Sequence, residues 1–274
     1  MEAWGAVLGA DADHGEALER VLEVGTTLEQ GARVADILVA AVSKAREDGR
    51  IYGKTALAAG RLFVETLQDS ARASEVLAAL FEEVPGHVKG LALCVAAARL
   101  SAEPTQLFEA LMAHAEVTDE QEESLAMLRE AAEIAEGPMA DPTRAIDALN
   151  AVLMSDEADT SSAQKLMTLL HNGERFEELG ELLRGRVMVT EDDARRRQLR
   201  YSLANLLAER LELSEEAVDV YGDMLADDYE DIEAMQEQEI LLRRLERWSD
   251  VRDLLGRKQE TVDASERVTI MMEM

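Results

Sequence analysis

Cysteine occurs once, at Cys94, so no disulfide can close within the chain. It lies in the apolar run LALCVAAA, where a small buried hydrophobe is expected. Proline occurs four times (Pro85, Pro104, Pro138 and Pro142), which leaves long stretches open to uninterrupted helix. Aromatic residues make up only 4%. Positive charge is scarce: 28 Lys and Arg against 57 Asp and Glu leave a formal charge of −29. That balance excludes a nucleic-acid binder, which needs cations to neutralise phosphates, and opposes docking on anionic lipid. It leaves basic protein partners open and supplies a well-solvated surface. No apolar run approaches the roughly 20 residues that span a bilayer, so no membrane insertion is expected. The opening MEAWGAVLGADAD has no basic stretch followed by a long apolar one, so it is not read as a secretory signal. The expected compartment is the cytoplasm.

What is present is helix-forming. Apolar residues make up 47% of the 274, and Ala, Leu and Glu dominate, which are among the best helix formers. The clearest segment is LRYSLANLLAERLELSEEAVDVYGDML, residues 199–225. Small Ala204 and Ala217 sit where two helices would touch, with Leu203, Leu206, Leu207, Val220, Tyr221 and Met224 at helical spacing around them. The pattern recurs. Leu38, Leu111, Leu183 and Leu255 end similar runs at intervals of 73, 72 and 72. Ala73, Ala145 and Ala217 repeat at 72, as do Gly60, Ala132 and Ala204, and the aliphatic set Leu62, Ile134 and Leu206. Leu67, Met139 and Leu211 form a further column at the same interval. Shared intervals across independent columns define an internal repeat.

Each repeat divides into four helices, A to D, predicted in the first at 14–26, 32–46, 51–67 and 70–83. The division is 1–12 as helix D of a preceding repeat, 13–85, 86–158 and 159–229 as repeats one to three, and 230–274 as an incomplete fourth. Thr118 with Gln121, and Thr190 with Asp193, are predicted to cap helix C, as are Asp263 and Glu266 in the fourth repeat. Asp141-Pro142 opens a helix D with a cap and a proline at its first position. With no polar helix closing the array, Trp4 at one end and Val268, Ile270, Met271 and Met272 at the other are expected to be exposed in a monomer.

Helices C and D resemble the tetratricopeptide repeat. Gly60, Phe63, Ala73, Leu77, Leu80 and Pro85 occupy the family's small, large and terminal proline places in the first repeat, and Ala204, Leu207, Ala217, Tyr221 and Met224 do so in the third. Two departures stand out: the small residue precedes the alanine by 13, one more than the family's usual spacing, and the Trp-Leu-Gly opening is missing. Helices A and B, with runs such as RFEELGELL and RWSDVRDLL, keep only the hairpin logic. The resemblance implies an all-α fold: a right-handed α–α superhelix (solenoid) of antiparallel helix hairpins, with a four-helix unit repeating every ~72 residues. Long acidic four-helix arrays occur in large bacterial proteins, so the resemblance also implies a segment of one.

No catalytic, cofactor or metal site is read from the chain. GRIYGKT at 49–55 is one residue short of a phosphate-binding loop and follows a helix rather than a strand. His14, His87, His114 and His171 are dispersed; His14 and His87, 73 apart, suit caps before helix A. Acids gather at the D-to-A turns (Asp11, Asp13, Asp156, Glu157, Asp159, Asp227, Asp228, Glu230 and Asp231), without calcium-loop spacing, and suit N-caps. Arg184, Arg186, Arg195, Arg196, Arg197 and Arg200 form the one basic concentration, expected to pair with neighbouring acids such as Glu191, Asp192 and Asp193.

These features predict a non-enzymatic scaffold binding a protein or peptide, with self-association through the terminal helices as the alternative. If helix C lines the binding face, as the family's first helix does, the partner-facing residues are Arg61, Val64 and Glu65, then Arg129, Glu133 and Glu136, then Tyr201, Asn205 and Glu209. That mix suits a segment bearing Lys or Arg.

Overall fold

The computed structural model describes residues 1–261, with side chains to residue 259. It is all-α among these residues and divides into two compact bodies, Met1–Asp156 and one beginning at Glu157. The first body holds α1 (Glu2–Ala10), α2 (Gly15–Thr27), α3 (Gly31–Glu47), α4 (Gly53–Leu62), α5 (Ser70–Glu83), α6 (Val88–Ser101), α7 (Pro104–Val117), α8 (Gln121–Glu136) and α9 (Pro142–Ser155). The second holds α10 (Thr160–Asn172), α11 (Phe176–Val189), α12 (Asp193–Glu209), α13 (Ser214–Asp227), α14 (Ile232–Arg244) and α15 (Trp248–Thr261). Within each body, successive helices pack pairwise through short turns as helix hairpins.

The repeated apolar columns form the cores. Leu38, Leu111, Leu183 and Leu255 are buried, as are Ala73, Ala145 and Ala217. Each leucine removed from water contributes about 2 kcal/mol. The alanines, having no bulk, let paired helices approach. Gly60 goes further, since a Cβ there would stand 2.7 Å from Leu77 Cδ2.

Capping residues set the starts. The helix opening each predicted repeat is capped by His14, His87, Asp159 and Asp231, spaced 73, 72 and 72. The two imidazoles accept through Nδ1 from Ala17 and Gly90 N–H at 3.2 and 3.1 Å. The two carboxylates accept from Ser162 and Ala234 N–H at 3.0 and 3.1 Å. Asp69 and Asp141 cap α5 and α9 in the same way, with Pro142 in the first turn of α9.

Two recurring series of turns are set by left-handed residues other than glycine, while Gly49 takes that conformation after α3. Glu29, Ala102, Glu174 and Glu246, spaced 73, 72 and 72, close α2, α6, α10 and α14; Gln68, Ala140 and Glu212, spaced 72, lie between helices C and D. In these latter turns Asp69, Asp141 and Leu213 N–H donate six residues back, to the carbonyls of Phe63, Ala135 and Leu207. The 13-residue spacing from small residue to alanine spans this widened turn, which in the first repeat includes the π turn Phe63–Leu67.

Several expectations are corrected. Helix C of the first repeat does not run as one α-helix over 51–67: α4 gives way to the π turn at Phe63. Thr118 and Thr190 do not cap the helices that follow. Their hydroxyls donate to His114 and Arg186 carbonyls, at 2.7 and 2.6 Å, and so finish α7 and α11. The cap of α12 is Asp192, which accepts from Arg195 N–H at 2.7 Å. Trp4 is half-buried against the N-terminal core rather than fully exposed. The expected caps Asp263 and Glu266, and the apolar Val268, Ile270, Met271 and Met272, lie outside the described residues.

Candidate functional site

In the C-terminal body α10 and α12 flank a groove of about 890 Å³. The sequence of α12 explains its wall. Leu199, Leu203, Ala204, Leu206 and Leu207 are drawn into the core, which leaves Gln198, Ser202, Asn205 and Glu209 facing outward. These four line the groove with Gln164, Thr168 and Asn172 of α10, while Leu179 and Leu183 of α11 supply apolar surface. Asp192 and Arg195 belong to one end of α12, Glu209 and Arg210 to the other. The lining therefore balances two carboxylates with two guanidiniums inside a chain of charge −29. Arg210 lies over the Phe176 ring at 5.4 Å, and the His171 ring meets Phe176 edge-on at 6.1 Å.

Asn205 is held from behind. Buried Tyr221 donates its hydroxyl to Asn205 Oδ1 at 2.9 Å, which fixes the orientation of the amide at the groove wall. Burial pushes the Tyr221 hydroxyl well above its ordinary pKa, with Glu237 and Glu209 adding to the shift. Tyr201 packs on Tyr221 edge-to-face at 5.7 Å but turns away from the groove. It donates to Asp231 Oδ1 at 3.1 Å, and Arg197 lies over its ring at 4.7 Å. Arg197 grips Asp231 with Nε and Nη2 at 2.6 and 2.9 Å and reaches Glu233 at 3.0 Å. The Arg197 hydrogen bond, against the cost of burial, lowers the Asp231 pKa.

Among the residues expected to face a partner, Asn205 and Glu209 meet in the groove. Tyr201 is committed to Asp231 instead, because α12 and the start of α14 pack together there. Val64 is buried, since the π turn rotates it into the core. Arg61 and Glu65 are exposed and 3.8 Å apart; Arg129 reaches Asp156 at 4.0 Å, and Glu133 and Glu136 are exposed on α8. Sequence reasoning passed over α10 because its motif is degenerate. The signal was the polar stripe Gln164, Thr168, Asn172, spaced four apart beside the buried Ala163, Leu166 and Leu170.

The other candidate features resolve into structure. The GRIYGKT turn is occupied by the chain's own acid: Asp13 accepts from Lys54 and Thr55 N–H at 3.3 and 3.1 Å, where a phosphate would need to sit. Asp13 therefore caps α4, not α2. The arginine concentration is largely spent on acids, as Arg184–Glu216, Arg196–Asp193, Arg197–Asp231 and Arg200–Asp227; Arg186 donates to the Glu157 carbonyl. Most of these partners are on other elements rather than beside the arginines in sequence. Cys94 is half-buried and its thiol pKa is pushed up to about 11 by burial. Among the described residues no group of three His, Cys, Asp or Glu side chains could hold a metal ion, and no helix is long and apolar enough to cross a membrane.

No protein-family model matches the chain, and no curated protein matches it. Solved structures with some likeness include an assembly chaperone of RpL4 (Acl4), at 19% identity and TM-score 0.34 over 85% of this chain and 98% of that one. Another is the tetratricopeptide-repeat domain of P58(IPK), at 11% identity and TM-score 0.27 over 97% of this chain and 89% of that one. The fold is all-α, rich in helix hairpins and repeat-like. These likenesses assign no particular tetratricopeptide family.

Proposed function

We propose that this chain is an interaction scaffold rather than an enzyme, and that the groove between α10 and α12 takes an extended segment of a partner protein. The observation that carries this reading is the pair of polar ladders. Gln164, Thr168 and Asn172 follow one another every four residues, and Gln198, Ser202, Asn205 and Glu209 every three or four. Helical rise puts one polar group about every 6 Å along each wall. Like-facing amides of an extended chain recur every ~6.6 Å, so its main chain can be met rung by rung. Apolar Leu179 and Leu183 between the ladders would take a side chain.

The same reading places the module in a right-handed superhelix of four-helix repeats of about 72 residues, divided as 1–12, 13–85, 86–158, 159–229 and 230–274. The recurring caps and left-handed turn residues support that period. Arg61, Glu133 and Asn205 share one register position 72 residues apart. Arg61, Glu65, Arg129, Glu133 and Glu136, on the N-terminal body, are candidates for a partner contact of their own, with their carboxylates suited to a basic partner.

Selection of random peptides of about 12 residues on the full chain tests the site. Enriched sequences should bind the native chain and lose at least about tenfold in affinity with Ser202→Trp, which fills the groove from an exposed position. Far-UV circular dichroism and thermal melting should be unchanged in that variant. Absence of enrichment, or equal affinity for both proteins, overturns the reading.

A further inference from the structure

A second, smaller cavity lies in the C-terminal body where α13, α14 and α15 meet. It measures about 200 Å³ and is lined by Val218, Gln238, Leu242, Arg247, Asp250, Asp253 and Arg257. Gln238 is out of place. Its register position holds Val21, Cys94 and Leu166 in the other repeats, spaced 73, 72 and 72, so an apolar side chain suits the packing. Here an amide is buried, 7% exposed. Its Nε2 donates to the Val218 carbonyl at 3.0 Å, while Oε1 has no hydrogen-bond partner among the described residues. Leaving a buried acceptor unmet is costly, and a position that breaks an otherwise consistent pattern at such a cost points to a ligand.

The charges around Gln238 narrow the chemistry. Arg247 is spent on Asp250 and Glu215, at 2.6 and 2.7 Å. Asp253 and Arg257, one turn apart on α15, have no ion-pair partner among the described residues, not even each other. Among the described residues the cavity thus offers an exposed carboxylate and an exposed guanidinium without ion-pair partners, and a buried neutral acceptor beside Val218 and Leu242. Gln238 Oε1 carries no net charge, so with Asp253 taken by a ligand's own ammonium a neutral O–H or N–H donor matches it without needing a second counter-ion.

We propose that this cavity binds a small α-amino acid whose side chain ends in a hydroxyl or a carboxamide. The α-ammonium meets Asp253, the α-carboxylate meets Arg257, and the side-chain O–H or N–H donates to Gln238 Oε1. Serine, threonine, asparagine and glutamine are of a size such a cavity admits.

Titration calorimetry of the full chain against the free amino acids, one at a time, is the test. Binding of at least one of these four is expected, with weaker binding of alanine and leucine. Gln238→Leu restores the residue type found at Leu166, so it should fold, and it should weaken binding about tenfold. Asp253→Asn and Arg257→Gln should weaken it as well. No heat with any of the four, undiminished affinity in Gln238→Leu, or equal binding of the N-acetylated, C-amidated derivatives overturns the proposal. Binding of N-acetyl-lysine amide without binding of free amino acids overturns it in favour of a partner's lysine side chain.

Discussion

Asp231 shows how much a single carboxylate can tie together. Its side chain is 3% exposed and accepts from Arg197, Tyr201 and Ala234 N–H. The cap could be read from the sequence, because an acid before an amphipathic run is a local signal. The grip of Arg197 and Tyr201 could not, because those residues stand 34 and 30 positions away and only packing unites them. The same limit misplaced Tyr201, whose helical position was right but whose hydroxyl had a stronger claim on it than solvent. Asp231→Asn keeps an acceptor for the cap and removes the charge opposite Arg197, itself 42% exposed, and should destabilise by about 1–3 kcal/mol in chemical denaturation. Acid should act in the same direction. The folded carboxyl titrates below its unfolded counterpart, so its contribution is whole above about pH 4 and is lost as pH falls through the folded value. The difference in melting temperature between the native chain and Asp231→Asn should therefore shrink on acidification below about pH 4. A constant difference down to acid unfolding would mean that the Arg197 contact does not stabilise the charged form.

At the level of helices, starts were more legible than ends. Caps such as Asp141 with Pro142 declare themselves, and α5 runs over 70–83 as its sequence predicts. Left-handed ends occupied by Glu, Gln and Ala carry no such mark, since glycine is the residue that announces them. The repeat itself was the only available clue, and it becomes visible once the turns are aligned. An alanine held at φ near +50° carries about 1 kcal/mol of steric strain that glycine does not. Ala102→Gly and Ala140→Gly should each raise the unfolding free energy by about 0.5 kcal/mol after glycine's greater entropy loss, measured by urea titration. A loss of stability in both variants would contradict the turn geometry. Thr118 and Thr190 carry the complementary lesson: a hydroxyl between two helices can serve either one, and here the carbonyl four residues back takes it.

For the whole chain, the repeat-like run of helix hairpins and the buried apolar columns could be read directly, because they depend on periodicity alone. The groove could not, because it arises from two helices, starting at Thr160 and Asp193, whose polar stripes are unremarkable separately. Its electrical balance, set in a chain of charge −29, has a kinetic consequence. For a partner segment seated in the groove, encounter would be governed by the long-range field of the whole acidic surface, and residence by short polar contacts that added salt barely screens. For a basic peptide selected on the groove, association should slow several-fold between about 50 and 500 mM salt, with dissociation nearly constant, as surface plasmon resonance would read. A dissociation rate that climbs with salt would place the contacts on the charged surface outside the groove. The acidic exterior would then act as an antenna and the neutral trough as a clock, so that one sequence tunes separately how often a partner arrives and how long it stays.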